Sequence, residues 1–457
     1  MAHVTQVLAF LAVSCALVIG VRYGTLSIGT PEANCAVGQA RMFADGRRSL
    51  PSPLPDQRFP AVLSGMLAPP GFVAKSDSLD EAVPGCPAGL SLAMAAALRI
   101  GGDPALFLVV PLFGMLAIWS TFLLVRALAN PWAGVAASAL LACSPLFMYG
   151  VTHTGSDVPT AALWLASLAA ATRMGDGTEV FRFRRAVGTG LLAGLAVLVR
   201  PHLFPLAAVP LMLVSGSWPL DRRQRPGQVV SPSRLGVASL MGMLPGVASV
   251  AWLQWRIYGT PLGSETPWQD VWTLTPALPV LVVLAVVAIW SITGRIRSPW
   301  RVLVLVAFVA LAGGWSVRDA NERGIFRAKA IERKYREVGR YAAAKLPPNA
   351  VILSVLPAGS IRYFAGTPTL TWSAIPADGL DALLDDLRAR GYAPFFALDV
   401  SERDAFKARF GKRTALATLD WTPRATIGRD ISVYDPGDRA RFLAGEKLDT
   451  ESISWPR

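Results

Sequence analysis

Residues 105–125 read ALFLVVPLFGMLAIWSTFLLV, a stretch without a charged side chain. As a helix it is long enough to cross the hydrocarbon core of a bilayer, which takes about 20 residues. Similar apolar runs recur from Val4 to about Val317, and over the whole chain 53% of residues are apolar and only 16% are charged. An ordinary soluble protein has about 25% charged residues. The sequence therefore predicts a polytopic α-helical membrane protein and excludes a single soluble enzyme, a disordered chain and a collagen.

Apolar runs of this kind give nine expected spans. The run Ala88–Ile100 is not counted, because a helix of 13 residues rises only roughly 20 Å and the hydrocarbon core is ~30 Å thick. We expect it to lie in the membrane interface. The first run follows no Lys or Arg and has no small-residue cleavage site, which predicts an uncleaved span rather than a signal peptide. The expected spans are Val4–Val21, Ala105–Val125, Trp132–Tyr149, Val158–Ala171, Val187–Val199, Leu203–Val214, Leu235–Trp255, Leu274–Ile292 and Val302–Trp315.

Arginines in three short loops indicate the cytoplasmic side, where such loops are retained. The amino terminus is then inside, and the loops and turns at 22–84, 151–157, 200–202 and 256–272 lie outside. The formal net charge of +13 fits this distribution, and no Lys-rich run or aromatic-interleaved basic strip points to nucleic acid. The arginines are Arg173, Arg182, Arg184 and Arg185 in the first loop, Arg222, Arg223, Arg225 and Arg234 in the second, and Arg295, Arg297 and Arg301 in the third.

From about Arg318 the composition changes to that of a soluble protein. We therefore expect a membrane module at 1–317, with its first outer loop at 22–84, and a periplasmic soluble α/β domain at 318–457. A charged helix at Ile325–Leu346 is ended by Pro347-Pro348. Strand-like and helical runs follow, with Ser401 as the expected cap of the last helix. The expected strands are Val351–Val355, Ile361–Phe364, Phe395–Asp399, Ala415–Leu419 and Ile431–Tyr434, and the expected helices are Leu380–Arg390 and Glu402–Phe410.

The four cysteines form no C-x-x-C pair and, with three scattered histidines, no zinc-finger spacing. Cys15 and Cys143 lie in apolar runs, where a thiol packs like a small apolar side chain. Cys35 and Cys86 fall in the same outer loop. They could form a disulfide if that loop is periplasmic, and the sequence leaves this open.

Five short patches follow one another between residues 4 and 265, and together they resemble the membrane glycosyltransferases of the GT-C fold. This group includes the dolichyl- or polyprenyl-phosphate-mannose-protein mannosyltransferases of glycosyltransferase family 39 and the lipid A aminoarabinose transferase. The patches are TPEANCAVGQAR at 30–41, VPGCPAGL at 83–90, SPLF at 144–147 with TGSDVP at 154–159, GLAVLVRP at 194–201, and YGTPL at 258–262.

The resemblance implies a catalytic carboxylate just outside the first span. The family usually has an Asp-Glu pair there, and its Asp is proposed to be catalytic. In this sequence the Ala-Arg spacing puts Glu32 in the Asp position and Ala33 in the Glu position. The acidic charge is kept, and its reach grows by one methylene.

Sugar transfer from a lipid phosphate requires a carboxylate for the acceptor, cations for the departing phosphate and an apolar groove for the lipid. Glu32 is the candidate base and Asp157 a second catalytic carboxylate or metal ligand. The candidate cations for the phosphate are Arg200, His202, Lys75 and Arg256. No cofactor is certain, but Glu32, Asp157 and His153 form a mixed oxygen and nitrogen set that suits Mn or Mg.

Each of these residues has a structural alternative. Glu32 could cap the helix that Pro31 begins, and Asp157 could cap the helix that follows it. Arg200 could extend to the membrane surface as a snorkelling side chain. His153 and His202 could be hydrogen-bonded structural residues.

The preferred interpretation is an integral-membrane glycosyltransferase of the bacterial inner membrane. It would transfer a sugar from a polyprenyl-phosphate-linked donor to a periplasmic protein, lipid or glycan. A carrier or flippase for lipid-linked sugars is the first alternative, but such transporters place ionisable residues within their spans and show related halves, and neither is visible here. A catalytically inactive assembly partner with the GT-C fold is the second alternative.

Overall fold

The computed structural model describes residues 2–51, 64–75, 78–174, 178–216, 232–259, 277–295 and 298–455. The helices are α1 (Ala2–Tyr23), α2 (Pro31–Ala44), α3 (Ser64–Leu67), α4 (Ala88–Leu128), α5 (Pro131–Cys143), α6 (Pro145–Thr152), α7 (Asp157–Ala171), α8 (Glu179–Val199), α9 (Ala208–Val214), α10 (Pro232–Tyr258), α11 (Leu278–Ile292), α12 (Ser298–Glu322), α13 (Ala328–Lys345), α14 (Ala358–Ala365), α15 (Leu380–Ala389), α16 (Val400–Phe410) and α17 (Asp438–Leu443). The strands are β1 (Leu50–Pro51), β2 (Phe72–Lys75), β3 (Ser78–Pro84), β4 (Ala350–Leu353), β5 (Thr369–Leu370), β6 (Ala393–Asp399), β7 (Ala425–Ile427), β8 (Ile431–Tyr434) and β9 (Glu451–Ile453).

The chain divides into two compact units. The helical unit comprises Met1–Gly24 and Pro87–Ala328, and the sheet unit comprises Thr25–Cys86 and Lys329–Arg457. This division differs from the boundaries expected from composition, because residues 25–86 group with the carboxy-terminal part rather than with the spans. Hydrogen bonds join the two segments of the sheet unit: the Ile28 N–H donates to Ser360 Oγ at 3.0 Å and the Thr371 N–H donates to the Met66 carbonyl at 2.8 Å.

In the helical unit, four described helices are long and apolar enough to cross a bilayer. They lie at His3–Tyr23, Ala88–Leu128, Ser233–Tyr258 and Trp300–Glu322, and α5 with α6 forms a further candidate that is bent by 62°. The expected spans Val158–Ala171 and Leu203–Val214 fall on shorter apolar helices. The chain is thus largely helical and membrane-spanning in character, while the number of nine spans stays a prediction.

Proline and glycine interrupt the helices at two places, and only the proline divides a segment that was expected to be one span. Trp132–Tyr149 was expected to be one span, but Ser144 has extended backbone between α5 and α6, because the residue before a proline is disfavoured in the helical region. Within α4, Gly101 and Gly102 have non-helical backbone, with φ +66° at Gly102. The segment 88–100 is therefore a helical piece distinct from the run at 105–125, and its interfacial position stays a prediction.

A glycine seam joins α8 to α10. A Cβ at Gly190 would lie 1.7 Å from the Ser239 carbonyl oxygen, and one at Gly246 would lie 2.2 Å from the Gly194 carbonyl oxygen. Gly190 and Gly194 are four residues apart, as are Gly242 and Gly246, which is the small-residue spacing that allows membrane helices to approach closely. Residue numbers rise together across these contacts, so the two helices run parallel.

The sheet unit is built on a six-stranded sheet with the order β5-β4-β6-β8-β7-β9. β4 is parallel to both β5 and β6, and β8 is antiparallel to β6 and β7. Buried apolar side chains form two clusters, one around Leu384, Phe396 and Phe406 and one around Val338, Phe395 and Val433. A smaller antiparallel sheet, β1-β3-β2, lies in the segment 25–86, which composition alone presented as a loop.

Three local expectations in the carboxy-terminal part are wrong. Ile361–Phe364 belongs to helix α14, because the parallel strands β4 and β5 require a crossover connection. Ala415–Thr418 is a 3-10 turn that Thr414 caps, and Leu419 has φ +52°. The cap of α16 is Asp399 rather than Ser401, since Asp399 and Glu402 form a capping box. The expected strands at Val351, Phe395 and Ile431 are present.

The pairing of Cys35 with Cys86, left open by the sequence, is a disulfide with a Cα–Cα distance of 6.1 Å. It connects α2 to the residue that follows β3 and closes a separation of 51 residues. Cys15 and Cys143 are free thiols.

Candidate active site

The helical unit contains an ion pair between two of the expected site residues. Arg200 directly follows α8, where Pro201 prevents the helix from continuing, and Asp157 begins α7. The Arg200 Nη2 group contacts the Asp157 carboxylate, and Nε donates to Ser156 Oγ at 3.0 Å. The Arg200 side chain is only 2% exposed, whereas that of Asp157 is 23% exposed. The guanidinium is therefore directed into the protein, and the carboxylate keeps contact with solvent.

The start of α4 packs against the same helix end. A Cβ at Gly89 would lie 2.6 Å from the Leu198 carbonyl oxygen and from the Val199 nitrogen. Only glycine permits this approach, so the VPGCPAGL patch is in contact with the residues that lead into Arg200. The TGSDVP patch thus supplies Asp157, and the VPGCPAGL patch packs against the residues that precede Arg200.

The two histidines differ in their surroundings. His202 lies in the 3-10 helix Pro201–Ala207, two residues beyond Arg200. The His153 ring stacks on Tyr149 with centroids 3.9 Å apart, and its Nδ1 lies 2.9 Å from the Tyr149 carbonyl oxygen and 3.0 Å from Thr152 Oγ1. These contacts match the structural alternative for His153.

Glu32 lies in the first turn of α2, in the sheet unit. Pro31 is the first helical residue, and Thr30 is the cap, with its Oγ1 accepting the Ala33 N–H at 3.1 Å. The capping bond therefore comes from Thr30 rather than from Glu32. The Glu32 side chain is exposed, at a helix end where the backbone dipole favours a negative charge.

The helix start that carries Glu32 is held by residues that sequence reasoning missed. Asn34 Nδ2 donates to the Pro70 carbonyl at 2.6 Å. A Cβ at Gly71 would lie 2.3 Å from the Pro31 carbonyl oxygen, and one at Gly359 would lie 2.8 Å from Asn34 Oδ1. Gly71 has a φ of +85°, a conformation that favours glycine, so a glycine just before a strand could have indicated this turn. The contact between Asn34 and Gly359 joins residues more than three hundred positions apart, and no local sequence pattern indicates it.

The remaining phosphate candidates are placed as follows. Lys75 ends β2, and its side chain lies outside the described residues. Arg256 is exposed in the last turn of α10, with its guanidinium 5.7 Å from the centre of the Trp252 ring. Arg256 has no described contact with the Asp157–Arg200 pair.

No group of three or more His, Cys, Asp and Glu side chains is arranged to hold a metal ion in the part of the chain that the structure describes. The metal set that the sequence suggests for Mn or Mg, Glu32, Asp157 and His153, stays a prediction.

Comparisons with known proteins agree with the predicted resemblance. Residues 87–224 match the sequence family described as dolichyl-phosphate-mannose-protein mannosyltransferase, and this range includes Gly89, Asp157 and Arg200. No curated protein matches the sequence. The Archaeoglobus fulgidus oligosaccharyltransferase tethered to an acceptor peptide with an NVT sequon aligns with a TM-score of 0.52 and 11% identity, over 92% of this chain and 72% of that chain. The chain has the GT-C fold.

Two further solved structures are similar to this chain. The archaeal oligosaccharyltransferase AglB from Archaeoglobus fulgidus, in complex with an inhibitory peptide and a dolichol-phosphate, aligns with a TM-score of 0.50 and 10% identity, over 92% of this chain and 71% of that chain. ArnT from Cupriavidus metallidurans, bound to undecaprenyl phosphate, aligns with a TM-score of 0.49 and 14% identity, over 94% and 97% of the two chains.

Proposed function

We propose that the chain is an integral-membrane glycosyltransferase that transfers a sugar from a polyprenyl-phosphate-linked donor to an acceptor outside the cytoplasm. The observation that carries the proposal is the Asp157–Arg200 pair, at the junction of two helices inside the residues that match the mannosyltransferase family. The dolichol-phosphate in the similar archaeal enzyme supports a lipid phosphate as the leaving group.

In this mechanism, Asp157 and Ser156 orient Arg200, and Arg200 with His202 stabilises the negative charge that develops on the departing lipid phosphate. Charge-assisted hydrogen bonds from a guanidinium are well suited to phosphate oxygens. An arginine held in place before the reaction contributes more than a mobile one, because no reorganisation is needed as the charge forms.

Glu32 is the proposed base that takes the proton from the acceptor nucleophile as the new glycosidic bond forms. Its exposed position at the start of α2 makes the carboxylate accessible to an acceptor. The sheet unit that carries it would lie on the outer side of the inner membrane. A cysteine introduced at Ala344, in a chain whose Cys15 and Cys143 are serine, should then react with an impermeant thiol reagent in spheroplasts, and protection of that cysteine would contradict the orientation.

The direct test is transfer of a labelled sugar in membranes that contain the full chain. Glu32→Gln should lower the rate by about 100-fold or more, the usual contribution of general base catalysis, with unchanged protein in the membrane. Asp45→Asn, which alters the acidic residue that ends the same helix, is the matched control and should keep the native rate. Native turnover in Glu32→Gln would remove Glu32 from the mechanism.

Lipid analysis identifies the donor. Membranes that lack the protein should accumulate a polyprenyl-phosphate sugar that its expression consumes. If lipid-linked sugars are unchanged while the chain is required for another protein to assemble, the chain is an inactive partner with this fold.

A further inference from the structure

A cavity lies between α8 and α10, at the amino-terminal side of their glycine seam. It has a volume of about 570 Å³, within the range of roughly 300–1,000 Å³ that is typical of small-molecule sites. Its lining residues are Glu179, Val180, Phe183, Ser233, Arg234, Val237, Ala238 and Met241. The cavity follows from the packing, because the seam brings the backbones into contact from Val187 onward and the larger side chains before it leave a crevice.

The wall of this cavity is apolar and open to the surroundings. Phe183 is 48% exposed and Met241 is 59% exposed, and Met241 belongs to Ser233–Tyr258, a helix that is long and apolar enough to cross a bilayer. Exposed apolar side chains on such helices are covered by hydrocarbon. The apolar wall therefore suits a lipid acyl chain as the ligand.

The charges at the mouth of the cavity favour an anionic headgroup. Arg234 lines the cavity and forms no ion pair with any residue that the structure describes. The first turns of α8 add Arg182, Arg184 and Arg185, and the one carboxylate in the lining is Glu179. Basic pockets between membrane helices bind the headgroups of anionic lipids such as cardiolipin.

The geometry points to a binding site for an anionic phospholipid at this cavity, with the headgroup at Arg234 and one acyl chain against Phe183, Val237 and Met241. The site is formed by other residues than the Asp157–Arg200 pair. Its ligand is a phospholipid of the surrounding bilayer and not the sugar donor.

The test measures the lipids that stay bound to the full-length protein, purified in detergent after incubation with equal amounts of phosphatidylglycerol and phosphatidylcholine. Native mass spectrometry should show preferential retention of phosphatidylglycerol. Arg234→Gln should reduce that retention about five-fold, since one arginine near a lipid headgroup contributes about 1 kcal/mol. Met241→Trp, which fills the cavity, should reduce retention of both lipids.

Matched variants separate this site from a general effect of charge or size. Arg126→Gln removes an arginine from the last turn of α4, outside the lining, and Met241→Leu keeps the apolar volume, so both should retain phosphatidylglycerol as the native chain does. Glycerol phosphate, which has no acyl chains, should not compete at the same concentration, and competition by it would show a site for free phosphate instead. Equal retention of the two lipids by the native protein, as expected if another part of the chain fills the cavity, would overturn the proposal. So would equal losses in all four variants.

Discussion

The two units hold buried charge in different ways. In the helical unit, a buried Arg200 meets one carboxylate, and Asp157 stays 23% exposed. In the sheet unit, the Lys334 ammonium lies 2.6 Å from an Asp399 carboxylate that is 2% exposed, and Glu402 beside it is 6% exposed. The two carboxyl groups of this sheet cluster are closed to solvent, although Lys334 also lies 3.3 Å from the exposed Asp430 carboxylate. The cluster connects α13, β6 and α16. The comparison indicates that the closed cluster stabilises the fold, whereas the pair with an accessible carboxylate is suited to bind a ligand.

The largest expected effect comes from breaking the pair in the helical unit. Arg200→Ala leaves Asp157 without its cation, and because that carboxylate keeps contact with solvent, the cost should lie below the ~3–5 kcal/mol of a fully buried pair. We expect lower thermal stability and a loss of donor binding of at least about 100-fold, equivalent to ~2.7 kcal/mol. Binding of a polyprenyl phosphate to the purified protein, with the unfolding temperature measured in parallel, checks both effects.

A double variant separates binding from stability in this experiment. Asp157→Ala combined with Arg200→Ala removes both charges, so it should recover part of the lost stability while donor binding stays lost. Arg200→Lys keeps the charge but not the planar guanidinium, and we expect intermediate binding. If Arg200→Ala binds the donor as tightly as the native chain, Arg200 has a structural role only.

The second prediction uses the closed cluster of the sheet unit. Burial raises the pKa of Glu402 to about 7, against the backbone N–H groups of Leu356 and Asp399 that lower it. Burial also raises the pKa of Asp399, but hydrogen bonds from Lys334 and Ser401 outweigh it and hold the pKa below the usual value. The pKa values of the two carboxyl groups of one capping box are therefore shifted in opposite directions.

A raised pKa in the folded state means that Glu402 contributes stability when protonated. That contribution is fully present below its ordinary pKa of about 4.5 and is lost as the pH rises through about 7. The shift corresponds to about 3 kcal/mol. Glu402→Gln should therefore reduce the fall in unfolding temperature between about pH 5 and about pH 8, measured on the full chain. Asp404→Asn alters an exposed carboxylate of the same helix and should leave the fall unchanged, and an equal fall in the native and Glu402→Gln chains would contradict the assignment.

Composition and periodicity predicted the parts of this molecule that depend on local sequence. The apolar runs became helices, the break after Ile100 coincides with Gly101 and Gly102, and the resemblance carried by the five patches was confirmed. The four-residue spacing of Gly190 and Gly194 is a further local signal, since small residues at this spacing allow membrane helices to pack closely.

The contacts between distant residues could not be predicted in this way. Asp157 and Arg200 were each identified separately, yet their pairing depends on how α7 and α8 pack. Ile361–Phe364 has the apolar, β-branched character of a strand, but its position between two parallel strands makes it a helix. The composition of the segment 25–86 predicts a loop, because the hydrogen bonds that join it to the carboxy-terminal part involve residues far apart in the sequence.

The smallest expected effect tests whether the support of Glu32 matters for the reaction. Thr30→Ala removes the cap of α2 and should cost about 1 kcal/mol, and Thr30→Ser should restore it. In the helical unit, Asn130 caps α5 in the same way, with its Oδ1 accepting the Ala133 N–H at 2.8 Å. Asn130→Ala should therefore lower the unfolding temperature to a similar degree. Only Thr30→Ala should also lower the transfer rate, roughly three- to ten-fold, because the first turn of α2 positions the proposed base. Equal rates in the two alanine variants would mean that the carboxylate acts without precise placement, and a lower rate that serine does not restore would place the defect elsewhere than in the cap.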